Sequence, residues 1–406
     1  MKQEATVIQG AAGRAERSRS MPRSILIVAG ETSGEQHAAG LMGALSALSP
    51  EPAIKWFGSG GRRMAEAGAE LFEDVSRLAA IGPWDALSHL PHYLRLFSRL
   101  TREAEARRPD LAILVDFPEF NLRLARRLKR LGIPVCYFIS PQIWAWRTSR
   151  VRQIARYVDL MLVIFPFEAD FYAARGVKVR YVGNPTAAAL CRRMRASSPA
   201  GAARARPLVA LMPGSREKEV ERLFPLFLDA AAHVAERAEA DFRVIKAPAV
   251  TRALLERIYK DWGLRNGRQL SLEVREEESV ALLAEADCAI IKSGTSTLEA
   301  MVLGVPFAMV YRMARPSWYF ARPFATTQVY CLANLIAGRT IVPEFVQSQA
   351  TAENIGGFVV RLLKNEPERA RIREELRQAV SKLGESDAYQ EAAKCVSKLL
   401  FEGSWA

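Results

Sequence analysis

Short, unbroken apolar runs that stop at a small or polar residue recur along this chain, and few folds accommodate them. Ile25-Leu26-Ile27-Val28, Leu111 to Val115, Val135 to Ile139, Leu160 to Ile164 and Val179 to Val182 are runs of this kind. A strand that is apolar at every position is buried on both faces, as in a parallel sheet covered by helices. Helical stretches are expected between them over Gly34 to Leu48 and Asn121 to Leu131. The pattern restarts at Leu208 to Met212. It continues through Phe242 to Ile245, Ser271 to Val274, Ala289 to Ile291 and Pro306 to Tyr311. Helices are expected there over Lys218 to Glu239 and Thr297 to Leu303. Strand alternating with helix predicts an α/β chain with two doubly wound, Rossmann-like domains in tandem.

The 406 residues suit two cores better than one. Residues 1–22, rich in Ala, Arg, Ser and Gly without periodicity, predict a disordered basic tail. Residues 23–185 form the first α/β domain, 186–207 a linker and 208–365 the second domain. Residues 366–406 continue as helices, with Pro367 to Leu383 and Ser386 to Leu400 as the expected spans. In the last helix Ala388, Ala392, Cys395 or Val396, and Leu399 fall on one face. That face must be buried against the first domain or a partner subunit.

The longest apolar run, Leu160 to Phe167, has eight residues, against the ~18 needed to span a bilayer. A transmembrane protein is not expected, and no apolar signal segment stands near the start. A net charge of +13 favours polyanionic partners, whether nucleic acid, anionic lipid or phosphorylated substrates. The five cysteines form no C-x-x-C pair and read as reduced thiols, and the four histidines lack metal-ligand spacing.

Ligands of open α/β sheets bind at the carboxyl ends of strands, so the loops there carry the candidates. Gly30-Glu31-Thr32-Ser33-Gly34 has the composition of a phosphate cradle or of a tight turn. Glu31 is the residue that turn-making does not explain. Asp116 directly follows five apolar residues, an environment that raises a carboxyl pKa and suits a general base. Its plain alternative is a helix N-cap, for which Asn121 is better placed. Trp144 and Trp146 would line a pocket for a sugar or an acyl chain, or pack between domains. Gly214-Ser215-Arg216 and Gly294-Thr295-Ser296 each lead from a strand into a helix and suit phosphate oxygens, with Glu299 placed to accept from ribose hydroxyls. Two such loops favour a nucleoside diphosphate. No Asp-x-Asp occurs, so helix dipoles and Arg216 are expected to neutralise the diphosphate without metal. From Trp84 to Leu100, Leu87, Leu90, Leu94, Phe97 and Leu100 repeat at helical spacing among Arg95, Arg99 and Arg102. Such a stretch lies on an anionic membrane or faces the core.

Taken in order, these motifs resemble the lipid-A-disaccharide synthase family. Ala29 to Gly34, Asp116 to Asn121, Ser140 to Trp146, Pro213 to Arg216, Ser293 to Glu299 and Asn334 to Arg339 carry the resemblance, which runs from about Arg23 to the C-terminus. It implies a GT-B glycosyltransferase, two such domains facing across a cleft, inverting and metal-independent. The implied reaction joins UDP-2,3-diacylglucosamine to 2,3-diacylglucosamine 1-phosphate (lipid X), forming a β-1,6 disaccharide 1-phosphate and UDP. Asp116 then falls at the family's catalytic Asp, and Arg216, Glu299 and Asn334 at donor-site positions. Ser33 and Gly34 join Trp144, Trp146, Leu90, Leu94 and Phe97 on the acceptor and lipid side. No cofactor and no nucleic acid is implied. The implied place is the cytoplasmic face of the inner membrane, on its anionic surface, and a homodimer is left open.

The chain departs from the family pattern at Glu35, where Asp is usual, Asp85 (Glu), Asn184 (His) and Ala333 (Pro). The alternative reading is another GT-B enzyme on a UDP-sugar, such as a 2-epimerase. A non-catalytic membrane-peripheral binding protein is disfavoured by Asp116 and the two phosphate-type loops.

Overall fold

A computed structural model describes residues 22–48, 53–74, 90–145, 147–196, 204–276, 278–314, 318, 327 and 329–402. The expected tail, Leu87, Asp85 and Trp146 lie outside the described residues. The chain divides into two units, residues 1–185 with 386–406, and residues 186–385.

In the first unit the described elements run β1 (Ser24–Ala29), α1 (Thr32–Leu48), β2 (Lys55–Gly60), α2 (Arg62–Glu66), β3 (Ala69–Asp74), α3 (Leu90–Arg107), β4 (Leu111–Val115), α4 (Pro118–Arg130), β5 (Val135–Phe138), α5 (Val151–Tyr157), β6 (Leu160–Val163), α6 (Pro166–Ala173) and β7 (Val179–Tyr181). The strands form a parallel sheet in the order β3-β2-β1-β4-β5-β6-β7. The order reverses between β1 and β4, and that reversal opens a crevice beyond their carboxyl ends. Ala29 pairs with Val115, so the chain leaves both strands at one level and Glu31 and Asp116 emerge from neighbouring strand ends.

Both faces of this sheet are covered, which is why its strands read as unbroken apolar runs. Leu26 and Val28 point into one core with Leu96, Leu100, Leu124 and Leu128 from α3 and α4. Ile25 and Ile27 point into the other with Leu41 and Leu45 of α1 and with Ala392, Val396 and Leu400. Those last residues belong to a helix far along the chain, Ala388–Glu402, which returns to α1. The buried face is Ala388, Ala392, Ala393, Val396 and Leu400. Gly40 marks a close approach, because a Cβ there would stand 2.7 Å from the Tyr389 ring. Tyr389 also hydrogen-bonds His37 Nδ1 at 3.0 Å, and burial holds that imidazole down at about 4. Gly40→Ala is expected to cost about 1–3 kcal/mol through this overlap. Gly43→Ala, with nothing within 4 Å on the same helix, should gain roughly 0.5–1 kcal/mol. Urea unfolding of the two variants checks the contrast, and equal stabilities would count against tight docking.

The second unit contains α7 (Pro185–Ala196) at the start, then β8 (Leu208–Met212), α8 (Glu217–Ala235), β9 (Asp241–Ile245), α9 (Arg252–Asn266), β10 (Leu272–Arg275), α10 (Ser279–Glu285), β11 (Cys288–Lys292), α11 (Thr295–Leu303), β12 (Phe307–Tyr311), α12 (Leu332–Ala337), β13 (Glu344–Val346), α13 (Ala352–Lys364) and α14 (Glu366–Ser381). Its parallel sheet has the order β10-β9-β8-β11-β12-β13, reversing between β8 and β11. The two halves thus repeat one topology. Helix α14 packs on α11 and α12 and stays with this unit. The division among the last helices therefore falls near residue 385 and not at 366, and among the described helices it is Ala388–Glu402 (α15) that returns to the first unit.

Candidate functional site

Asp116 sits where β4 ends, and its backbone is unusual. Asp116 and Phe117 have φ of 48° and 50°, the left-handed region, which costs of order 1–2 kcal/mol per non-glycine residue. Two side chains hold the geometry. Asn121 Nδ2 donates to the Asp116 carbonyl at 2.8 Å and to that of Val115 at 3.2 Å, and the Tyr137 hydroxyl donates to the Asp116 carbonyl at 2.5 Å. Asn121 is therefore not the N-cap its type suggested. The helix starts three residues earlier, at Pro118 with Phe117 as the cap, and Asn121 is buried inside it. Pro118 has a fixed φ suited to a first helical position, which accounts for the earlier start.

The left-handed turn lays Phe117 over Gly30, where a Cβ would come within 2.2 Å of the ring. Tyr93 lies 5.7 Å from Phe117, and Phe117 stacks on Phe120 at 5.2 Å between ring centroids. This aromatic wall removes water from one side of Asp116. Burial first, and the negative charge of Glu31 second, push the Asp116 carboxyl up to about 6, against a hydrogen bond from the Phe117 N–H. Burial and Glu31 also raise the Tyr93 phenol. Glu31 itself is exposed. A carboxyl with this pKa is largely ionised at neutral pH and basic enough to take a proton from an alcohol as a bond forms.

Ser33 and Gly34 lie in the first turn of α1, Ser33 exposed and Gly34 buried beside Val115. Glu35 has a local task. Its buried carboxylate accepts from the Arg63 N–H at 2.7 Å and satisfies the start of α2. Trp144 is half-buried and anchored. Its indole N–H donates to Glu168 Oε1 at 3.1 Å, which also accepts from Ser140 Oγ at 2.7 Å, and its ring meets Phe167 edge-on. Glu168 Oε2 takes the Phe165 N–H at 3.2 Å. Burial pushes Glu168 up to about 7 despite these donors. The Ser140–Trp144 loop is thus pinned to α6 by a carboxyl that motif spacing did not single out.

Helix α3 divides the expected apolar stripe in two. Leu96, Leu100 and Ala104 are core, and Phe97 packs edge-on against Phe120 at 5.8 Å. Leu90 and Leu94 are the residues turned outward, 45% and 59% exposed. Phe97 is therefore a correction to the membrane-facing set, because it completes the aromatic wall. Arg99 is engaged as well, donating to the Phe72 carbonyl at 2.7 Å, whereas Arg95 and Arg102 are exposed.

The second unit holds a cavity of about 780 Å³ at the carboxyl ends of β8, β9 and β11. Gly214, Ser215, Gly294, Thr295, Ser296 and Glu299 all line it. Gly214 has φ of +140°, and a Cβ there would lie 2.8 Å from that of Glu219. Glu299 accepts from Ser279 Oγ at 2.8 Å, and burial raises its carboxyl. Arg216 does not line the cavity. Its side chain is 75% exposed and lies 3.5 Å from Glu219. Asn334 does not line it either. Its amide donates to the Val342 carbonyl and Glu344 and accepts from the Ile341 and Val342 N–H groups. That set ties α12 to the approach of β13. Lys292, which opens the second phosphate-type loop in the sequence, lines the cavity, and so does Lys246, which sequence reasoning did not single out.

The sequence pattern of the lipid-A-disaccharide synthetase family matches residues 25–399. The chain is 40% identical over 392 residues to the lipid-A-disaccharide synthase of Myxococcus xanthus, a match covering 94% of this chain and 99% of that one. It is 37% identical over 378 residues to the lipid-A-disaccharide synthase of Koribacter versatilis, covering 91% and 96%. Among solved structures it resembles the UDP-GlcNAc 2-epimerase of Neisseria meningitidis bound to UDP-GlcNAc, with a TM-score of 0.57, 13% identity and coverage of 94% and 100%. It also resembles CalG4, the calicheamicin glycosyltransferase, with a TM-score of 0.54, 17% identity and coverage of 95% and 100%. These two likenesses speak for the fold.

Proposed function

The chain belongs to the lipid-A-disaccharide synthetase family, and from that premise we propose that it joins UDP-2,3-diacylglucosamine to 2,3-diacylglucosamine 1-phosphate with inversion, releasing UDP. The activity that goes with the family is glycosyl transfer in lipid A biosynthesis. The observation that carries the mechanism is the Asp116 carboxyl, pushed up to about 6 at the end of β4. It takes the proton of the acceptor 6-hydroxyl while that oxygen attacks the anomeric carbon and the bond to UDP breaks. Glu31 keeps the base from becoming too acidic, and the pinned Trp144 lines the acceptor side.

The second unit's cavity takes the donor. Backbone N–H groups at Ser215 and at Gly294 to Ser296 meet the diphosphate at two helix starts. Glu299 accepts from the ribose hydroxyls. Arg216 reaches in from the rim, and Asn334 acts by holding the neighbouring backbone. Both substrates carry acyl chains, and Leu90 and Leu94 with Arg95 and Arg102 suit contact with an anionic membrane surface. Among the described residues, no helix is long and apolar enough to cross a membrane.

Mass spectrometry tests the reading. With both substrates the expected product is the disaccharide 1-phosphate plus UDP, in equal yield with and without EDTA. An epimerised sugar nucleotide formed without lipid X would favour the 2-epimerase reading instead. Loss of product in EDTA, restored by a divalent metal, would end the metal-free mechanism.

A further inference from the structure

Three donors of the kind that bind phosphate converge on one carboxylate beside the donor cavity. The Ser215 N–H donates to Glu219 Oε2 at 3.2 Å, Lys292 Nζ lies 3.1 Å from Oε1, and an Arg216 guanidinium nitrogen lies 3.5 Å from the same oxygen. An ammonium, a guanidinium and a helix-start N–H are the donor set that proteins present to phosphate oxygens. Glu219 is held there by design of the backbone. Gly214 carries no Cβ, and one placed there would overlap the Glu219 side chain at 2.8–2.9 Å.

Lys292 is the most telling of the three. It ends β11, lines the cavity, and is 23% exposed where Arg216 is 75% exposed. Met212 pairs with Ile291 across the sheet, so Lys292 leaves β11 at the level where β8 gives way to its loop. Its ammonium is also 3.9 Å from the point where a Gly294 Cβ would stand. It therefore bridges the Gly214-Ser215 loop and the Gly294-Thr295-Ser296 loop. Less exposed to water than Arg216, it is the less screened of the two charges.

We propose that Lys292 is the principal cation for the diphosphate of the donor, and that Glu219 is its resident partner, which gives up Lys292 and the Ser215 N–H when the diphosphate binds. This exchange rests on reading the cavity as a nucleoside diphosphate site. It sets donor affinity, because the ligand must compete with a carboxylate already in place, and it lets UDP leave when Glu219 returns.

Isothermal titration of the full chain with UDP, uridine and pyrophosphate tests it. Lys292→Met is expected to raise the UDP dissociation constant about 10- to 100-fold. Glu219→Gln, nearly isosteric, is expected to lower it about 3- to 10-fold by removing the competitor and its repulsion of the ligand. Uridine, which has no phosphate, should bind both variants within twofold of wild type. Wild-type UDP binding by Lys292→Met would overturn the role of Lys292. Weaker UDP binding by Glu219→Gln would overturn the exchange and make Glu219 a fixed support for Lys292. If the wild-type protein bound no UDP, the uridine nucleotide reading would fail on its own. The pyrophosphate series, with the same expected order of variants, would then judge the Lys292–Glu219 pair separately.

Discussion

Asp116→Asn is expected to lower turnover by ~10²–10⁴ while UDP binds as in wild type. The substitution is clean because the local fold hangs on the backbone of this residue. Asn121 and Tyr137 both donate to the Asp116 carbonyl, which the variant keeps. The left-handed turn and the Phe117–Gly30 contact should persist, so a loss reads chemistry and not collapse. The pH dependence carries a second signature. Asp116 titrates at about 6, so wild-type kcat/KM should rise with pH through that value and level off above it. The residual activity of the Asn variant should lack that acid limb.

Stability should move the opposite way. The folded-state pKa is raised above the unfolded value, so ionising Asp116 costs stability as pH climbs from about 4 through about 6. Below that window both forms are protonated and the cost vanishes. Asp116→Asn should therefore be more stable than wild type at neutral pH, by about 2–3 kcal/mol at most, and show no such gain near pH 3.5. Turnover near wild type in this variant would sink the base assignment.

The second large effect concerns the membrane. Leu90→Ser with Leu94→Ser is expected to cut partitioning onto anionic vesicles by ~10²–10⁴. Each leucine contributes ~1.5–3 kcal/mol if it inserts fully, and every 1.4 kcal/mol is tenfold. Arg95 and Arg102 would add ~1 kcal/mol each at low salt, so they set lipid preference and salt sensitivity more than retention. The fold should survive, since the core side of α3 is Leu96, Leu100 and Ala104. Vesicle sedimentation beside circular dichroism checks both halves. Undiminished binding by a folded double variant would remove α3 from the membrane contact.

How much of this was legible in the sequence varies with the physics of each part. β1, β4, β5, β6, β8 and β11 announce themselves because burial on both faces demands unbroken apolar runs. β2, with Lys55 and the glycines 58 and 60, and β3, with charges at 70, 73 and 74, do not. They lie towards the edge of the sheet, where neighbours and not side-chain pattern make the strand. Strand-end logic points to Asp116, Gly214 and Gly294, since topology alone brings each to the carboxyl end of a strand in its own unit's sheet. It could not find Glu168, whose importance comes from Ser140 and Trp144 arriving from a different strand. It reached Lys292 as the first residue of the second phosphate-type loop but could not show that its ammonium lies beside Glu219. Helical spacing merged Leu90, Leu94 and Phe97 into one stripe. Separating them requires knowing that Phe120 approaches from α4.

The return of α15 to the first unit bears on the order in which the protein can assemble during synthesis. Residues 186–385 form an uninterrupted stretch, so that unit has all its chain once residue 385 has left the ribosome. The earlier-made unit has its seven described strands by residue 181 but still lacks Ala392, Val396 and Leu400, which complete the core on the α1 side of its sheet. The face of α1 that α15 covers must therefore wait, exposed, through the making of more than half the chain. The half born first is the half finished last, and its exposed layer in that interval is a natural place for a chaperone to be engaged.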